Sequence, residues 1–94
     1  MEMADVLSEV RAERERQDAR WGWTNRDPAW HVAVLVEEVG ELARALHDAR
    51  FAGGGDKAVA AAREEAIQIA AVAVAFVEGL DAGRWVGLMT EVKP

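Results

Sequence analysis

The chain has 94 residues, no cysteine and a formal net charge of -6, with 51% hydrophobic and 30% charged residues. A length of this kind holds one domain with a modest core, here taken as residues 1–94, and the hydrophobic fraction excludes wholesale disorder. Without cysteine there are no disulfides, thiol nucleophiles or cysteine–zinc centres, and the acidic balance argues against binding a nucleic-acid duplex or an anionic membrane surface.

No segment alternates with the period of two that a strand requires, so the fold class expected is all-α. Helix 1 is expected over roughly Ala4 to Arg20, a heavily charged stretch without the apolar run of a signal peptide. Val6, Val10 and Trp21 align on one side of it, with Gln17 between them. An inward glutamine beside an aromatic ring suits reading the edge of a base while the ring stacks on its face. A water-bridged glutamine at the helix rim is the competing reading. Arg16 and Arg20, one turn apart, would either lie beside phosphates or pair with Glu13. The stretch from Trp21 to Pro28 breaks the helix, and Trp21, Trp23 and Trp30 crowd a ten-residue segment; loop tryptophans commonly pack over helix ends.

Helix 2 is expected over roughly Pro28 to Phe51, with Asp27 as its N-cap and Pro28 in its first turn. His31 lies two turns before Glu38 on the same face, where it would meet a substrate or serve the structure, whereas His47 points outward. Gly53-Gly54-Gly55 ends this helix and Asp56 is expected to cap helix 3, roughly Lys57 to Leu80. Gly79 and then Asp81-Ala82-Gly83 end helix 3, and a tail from Arg84 to Pro94 adds a weakly helical turn or two. From Ala66 to Val77 helix 3 is apolar on nearly every side, yet too short to span a bilayer. Such a helix belongs at the centre of a bundle. The expected architecture is therefore a long antiparallel hairpin of helices 2 and 3, completed by a second copy of the chain. A soluble cytoplasmic protein is expected.

Two acidic clusters interrupt this apolar pattern: Glu37-Glu38-Val39-Gly40-Glu41 and Glu64-Glu65-Ala66-Ile67-Gln68. Side chains three and four apart share a helix face. Glu38 and Glu41 fall in the same stripe as Val34, Leu35, Leu42 and Ala45; Glu65 and Gln68 continue the face of Ile69, Val72 and Phe76. The glycine turn reverses the chain, so the two polar pairs can meet at similar height. Unpaired carboxylates are costly to desolvate, and oxygen donors from two facing helices suit a hard divalent cation such as magnesium. Through magnesium the pattern points to phosphates. A buried Glu–Arg network with Arg44 or Arg63 is the alternative, although both arginines project away from the carboxylate stripe. Gly53-Gly54-Gly55-Asp56-Lys57 lacks the strand and the Gly-Lys-Ser/Thr ending of a P-loop. Ser8 is the only serine, which makes a serine triad implausible, and the absence of Glu-x-x-His disfavours a di-iron bundle.

From Arg16 to Glu78 the chain resembles the MazG-like members of the all-α nucleoside triphosphate pyrophosphohydrolases, through Arg16-Gln17, the Trp21-Gly22 loop, Glu37-Glu38-x-x-Glu41-Leu42 and the cluster on helix 3. The resemblance implies cleavage of an NTP or dNTP to the monophosphate and pyrophosphate with Mg2+, or Mn2+ as a substitute, in house-cleaning of the nucleotide pool. It also implies oligomers sharing a helical core, a homodimer or homotetramer. The family pairs Glu-x-x-Glu on one helix with Glu-x-x-Asp on the next. Glu38 and Glu41 match the first pair, Glu65 begins the second, and Gln68 stands where aspartate is usual. An amide oxygen can still ligate magnesium, with one negative charge fewer. Glu37 occupies the position that in some relatives helps activate the attacking water. In the resulting scheme Gln17, Arg20, Trp21 and His31 contact substrate. Lys57, on the face of Glu65 and about 12 Å up the axis at 1.5 Å per residue, reaches a terminal phosphate. Two other classes stay open: a catalytically silent metal- and nucleotide-binding relative acting as sensor or partner module, and a helical scaffold without ligand.

Overall fold

The structure, a computed structural model, describes residues 1–22 and 27–85. It contains α1 (Met3–Trp21), α2 (Pro28–Phe51) and α3 (Gly55–Asp81), with no strand among the described residues, so the all-α expectation holds. Trp23 and all of the expected tail beyond Trp85 lie outside the described residues.

The helix ends follow from local chemistry. Gly22 closes α1 with φ 61°, a left-handed conformation that costs glycine nothing, and its N–H donates to Asp18 O at 2.9 Å. At the start of α2 the Asp27 side chain accepts from Ala29 N at 2.7 Å, and Pro28 fills the first position, where its missing N–H is harmless. Gly53, at φ 70°, lets the chain turn back, while Ala52 N and Gly54 N both donate to Asp48 O. The expected Asp56 cap is not formed. Gly54 is the cap residue of α3 and Asp56 lies inside the first turn, where its charge still favours the positive end of the helix dipole.

Helices α2 and α3 run in opposite directions along one another. His31 of α2 meets Phe76 of α3, Glu38 meets Glu65, and Ala45 and Asp48 share a groove with Ala58 and Ala61. The centre of the core is Val72 and Ala75, against which Trp21, Trp30, Val34 and Leu35 pack. Burying a side chain such as Val72 contributes about 1.5–3 kcal/mol. Small residues make up most of the buried face of α3, with Ala62, Ala71, Ala75 and Gly79 beside Val72.

Helix α1 lies on α3 through a seam spaced four and three residues apart: Val10, Arg14 and Gln17 are its buried residues. The seam is largely polar. Arg14 Nε donates to Glu78 Oε1 at 2.7 Å and Nη1 lies 3.3 Å from Asp18 Oδ1. Glu78 keeps 52% of its side chain exposed, so solvent screening limits this pair to less than about 1 kcal/mol. Its effect is to hold one orientation of α1. Nearer the other end, Arg63 Nη2 pairs with Glu9 Oε2 at 2.5 Å, and that guanidinium holds the Glu9 carboxyl below its usual range. Among the described residues no helix is long and apolar enough to cross a membrane.

Gly79 does not end α3 as expected; it sits inside the helix, buried beneath the ring of Trp85. A β-carbon at this position would overlap three ring atoms of that tryptophan. Alanine in a helix interior normally stabilises relative to glycine by about 0.5–1 kcal/mol. Here overpacking by about 1–3 kcal/mol opposes that gain. Gly79→Ala is therefore expected to lower the free energy of unfolding in urea, with a red shift of tryptophan emission as Trp85 is displaced. Unchanged emission with increased stability would show that Trp85 is not seated on this glycine.

Candidate active site

The antiparallel register brings Glu38 of α2 and Glu65 of α3 into hydrogen-bonding contact. Two carboxylates can share a hydrogen bond only if one keeps a proton. The Glu38 carboxyl is accordingly pushed up from 4.5 to about 7, first by the hydrogen bond with Glu65, then by burial, then by the charges of Glu65, Glu37 and Glu41. Gln68, one turn beyond Glu65, is assigned with its amide nitrogen toward the pair, the orientation that gives both ends of the amide complementary neighbours. In it Nε2 donates to Glu38 Oε2 at 2.7 Å and to Glu65 Oε2 at 3.3 Å. A proton and an amide N–H thus stand where a cation's charge would satisfy the same oxygens.

The other expected ligand, Glu41, is exposed and lines a small groove of about 190 Å³ with Arg44, Asp48, Ala58 and Glu65. Among the described residues no three histidine, aspartate or glutamate side chains converge closely enough to hold a metal ion. The structure therefore unites Glu38, Glu65 and Gln68 and leaves Glu41 at the flank. Glu37 is exposed, close enough for its charge to act on Glu38. The donors present, two carboxylates and an amide oxygen available by rotation of Gln68, fit magnesium chemically. The arginine network weighed against this arrangement is not formed. Arg63 pairs with Glu9 on α1, and Arg44 makes no ion pair among the described residues.

A groove between α1 and α3 opens beside the pair. One part, about 520 Å³, is lined by Glu13, Arg16, Gln17, Arg20, Trp21 and Gln68. A second part, about 560 Å³, shares Glu13, Arg16 and Gln68 and continues past Ile67 to Arg63 and Ala60. Gln68 belongs to both parts and to the carboxylate pair. Gln17 is almost wholly buried: Nε2 donates to Glu13 Oε2 at 3.2 Å and to the Gln68 carbonyl at 3.3 Å. Glu13 Oε1 accepts from Arg16 Nε at 2.9 Å and Nη2 at 2.7 Å, so Arg16 takes the pairing role foreseen as one of its two options. The Arg20 guanidinium lies 5.1 Å from the centroid of the Trp21 ring.

His31 is placed differently from the substrate contact expected of it. It is 1% exposed and enclosed by rings, with centroids 5.0 Å from Trp85, 5.8 Å from Trp30 and 6.3 Å from Phe76. The reason is the aromatic closure at this end of the hairpin, which gives His31 a packing position. Lys57 is exposed in the first turns of α3 and lines none of these grooves. Glu13 and Arg14 went unrecognised as organising residues in the sequence. The four-three spacing of Val10, Arg14, Gln17 and Trp21 is the signal that marks the inward face of α1.

The raised Glu38 carboxyl links stability to pH. Between 4.5 and about 7 the folded chain retains a proton that the unfolded chain has released, so the contribution is complete below 4.5 and lost as pH rises through about 7. Without divalent cations the thermal midpoint is expected to fall as pH rises through this window, and Glu38→Gln is expected to flatten that part of the profile. An equally steep fall in Glu38→Gln would place the titrating group elsewhere. No family model, curated protein or solved structure matches this chain.

Proposed function

We propose that the protein is a magnesium-dependent nucleoside triphosphate pyrophosphohydrolase of the MazG-like kind, releasing pyrophosphate and a nucleoside monophosphate. The observation that carries this reading is the Glu38–Glu65 pair, two carboxylates from opposed helices in contact without a basic partner among the described residues, continuous through Gln68 with a groove of about 520 Å³. Glu38 and Glu65 would hold magnesium, with Gln68 turned to offer its oxygen and Glu41 recruited from the flank. When bound, the ion neutralises triphosphate charge and increases the electrophilicity of phosphorus. Glu37, exposed beside the pair, is suited to orient water for in-line attack on the α-phosphorus and to accept its proton. Arg16 and Arg20 supply positive charge along the groove, Lys57 stands outside it, and Trp21 and Gln17 face the base.

The same Gln68 contacts favour a second reading, a module that binds metal and nucleotide without turnover. Its amide already satisfies both carboxylates, so a cation must displace those two hydrogen bonds. Gln68→Asp replaces the donor with a third charge, and magnesium affinity is expected to rise at least about tenfold, an effect of roughly 1.4 kcal/mol. Calorimetry measures this directly, and weaker binding in the variant would argue against Gln68 as a ligand position.

Pyrophosphate release from NTPs and dNTPs, with and without magnesium, tests the activity itself. Glu38→Ala is expected to abolish release while leaving a cooperative thermal transition, because it removes one charge from a crowded pair. Turnover equal to that of the native chain would sink the assignment. Activity in Gln68→Asp alone would select the silent binding module.

A homodimer, or a tetramer built from dimers, belongs to this proposal. Val32, Val36, Val39 and Leu46 are exposed on α2 at spacings of four, three and seven, one continuous side of the helix, and Val59, Val77 and Leu80 are exposed on α3. A second copy offers the same apolar line without charge to desolvate. Val36→Arg with Val39→Glu is expected to shift sedimentation toward the monomer, and an unchanged sedimentation coefficient would remove this side of α2 from any interface.

A further inference from the structure

We infer that the Gln17 end of the groove selects a nucleobase presenting an exocyclic amino group, rather than a keto oxygen, at its recognition edge. This rests on the nucleotide reading above and narrows its substrate class. The geometry begins with a side chain only 3% exposed that nevertheless lines the groove with Trp21, Arg20 and Gln68. Both hydrogen bonds of the Gln17 amide nitrogen go to acceptors, Glu13 Oε2 and the Gln68 carbonyl. Turning the amide over would set oxygen against oxygen at both contacts, so its orientation is fixed.

Gln17 Oε1 is then a committed acceptor, and it has no hydrogen-bond partner among the described residues. Buried polar atoms are normally paired, and an exception invites a ligand group of complementary kind. Glu13 cannot supply it, being an acceptor itself and held in place by Arg16. The complement must be a hydrogen-bond donor, and on the edge of a nucleobase that donor is an N–H. The groove of about 520 Å³ accommodates a planar heterocycle along the wall formed by Trp21 and the Arg20 guanidinium. The amino group of cytosine or adenine donates at this edge. At the position of that amino group uracil and hypoxanthine carry a carbonyl oxygen, which would meet Gln17 Oε1 acceptor to acceptor; their donor on this edge is the neighbouring ring N–H, displaced by one ring position. A site built around a hydrogen bond rejects the analogue that cannot make it far more strongly than a purely apolar pocket does.

Two nucleotide pairs differing only by this exchange test the idea: CTP against UTP, and ATP against ITP. Binding is followed by calorimetry with magnesium, and pyrophosphate release is measured in parallel. The amino member of each pair that binds is expected to be favoured by at least about tenfold in affinity, and Gln17→Met to abolish the difference. Equal binding, or preference for the keto members, overturns the inference while magnesium-dependent pyrophosphate release leaves the enzyme assignment standing. A preference that survives in folded Gln17→Met also overturns it, by removing Gln17 from the discrimination. No binding or turnover of any of the four nucleotides by the native chain overturns the inference together with the activity on which it rests. Should Gln17→Met fail to fold, the native comparison decides between the amino and keto edges.

Discussion

Everything distinctive about this chain depends on the pairing of α2 with α3 in a register that sets one carboxylate against another. Packing of Val72 and Ala75 against Trp30, Val34 and Leu35 fixes that register, and the apolar contacts on the same helix faces hold it. Glu38 and Glu65 are carried into contact because they occupy positions in the buried stripes where a hydrophobic residue would serve stability better. The fold therefore maintains a local electrostatic conflict, relieved by a retained proton and by the Gln68 amide. A divalent cation is a chemically economical replacement for both.

The second organising element is α1, which touches α3 through polar side chains more than through apolar ones. Val10 is the sole buried apolar residue in its seam, whereas Arg14 and Gln17 reach across to Glu78 and to the Gln68 carbonyl. Such a seam adds little net stability, since the charged partners remain partly in water. What it adds is orientation. A helix held by directional bonds presents Glu13, Arg16, Gln17 and Trp21 to one groove in a defined arrangement, as a binding wall requires.

The sequence revealed the helices because their boundaries are chemically marked: Asp27-Pro28 opens α2 where expected, and the glycines at 53–55 turn the chain back. The meeting of Glu38 with Glu65 and Gln68 was legible too, since a tight turn brings the acidic stretches on either side of it to similar height on antiparallel helices. The burial of Arg14 was not. The spacing of Arg14 with Val10 and Gln17 marks the inward face, but its charge argues for the surface, and only the position of Glu78, 64 residues away, explains why its guanidinium turns inward. The enclosure of His31 depends on Trp85, a contact at the open end of the hairpin between residues far apart in the chain, which no local pattern contains. The orientation of the Gln68 amide is a property of the assembled pair and has no sequence signal at all.

The small side chains on the buried face of α3 have a consequence for how this protein can change over generations. Ala62, Ala71 and Ala75 leave room for the neighbouring helices, Gly79 leaves room for the ring of Trp85, and Gln17 reaches a main-chain carbonyl of α3. The dimensions of the groove are thus set by volume left unfilled, and no catalytic side chain needs to be touched to alter them. Enlarging one alanine would move a whole helix wall, so new specificities are reachable through single core substitutions. The same dependence makes that face the least tolerant of drift.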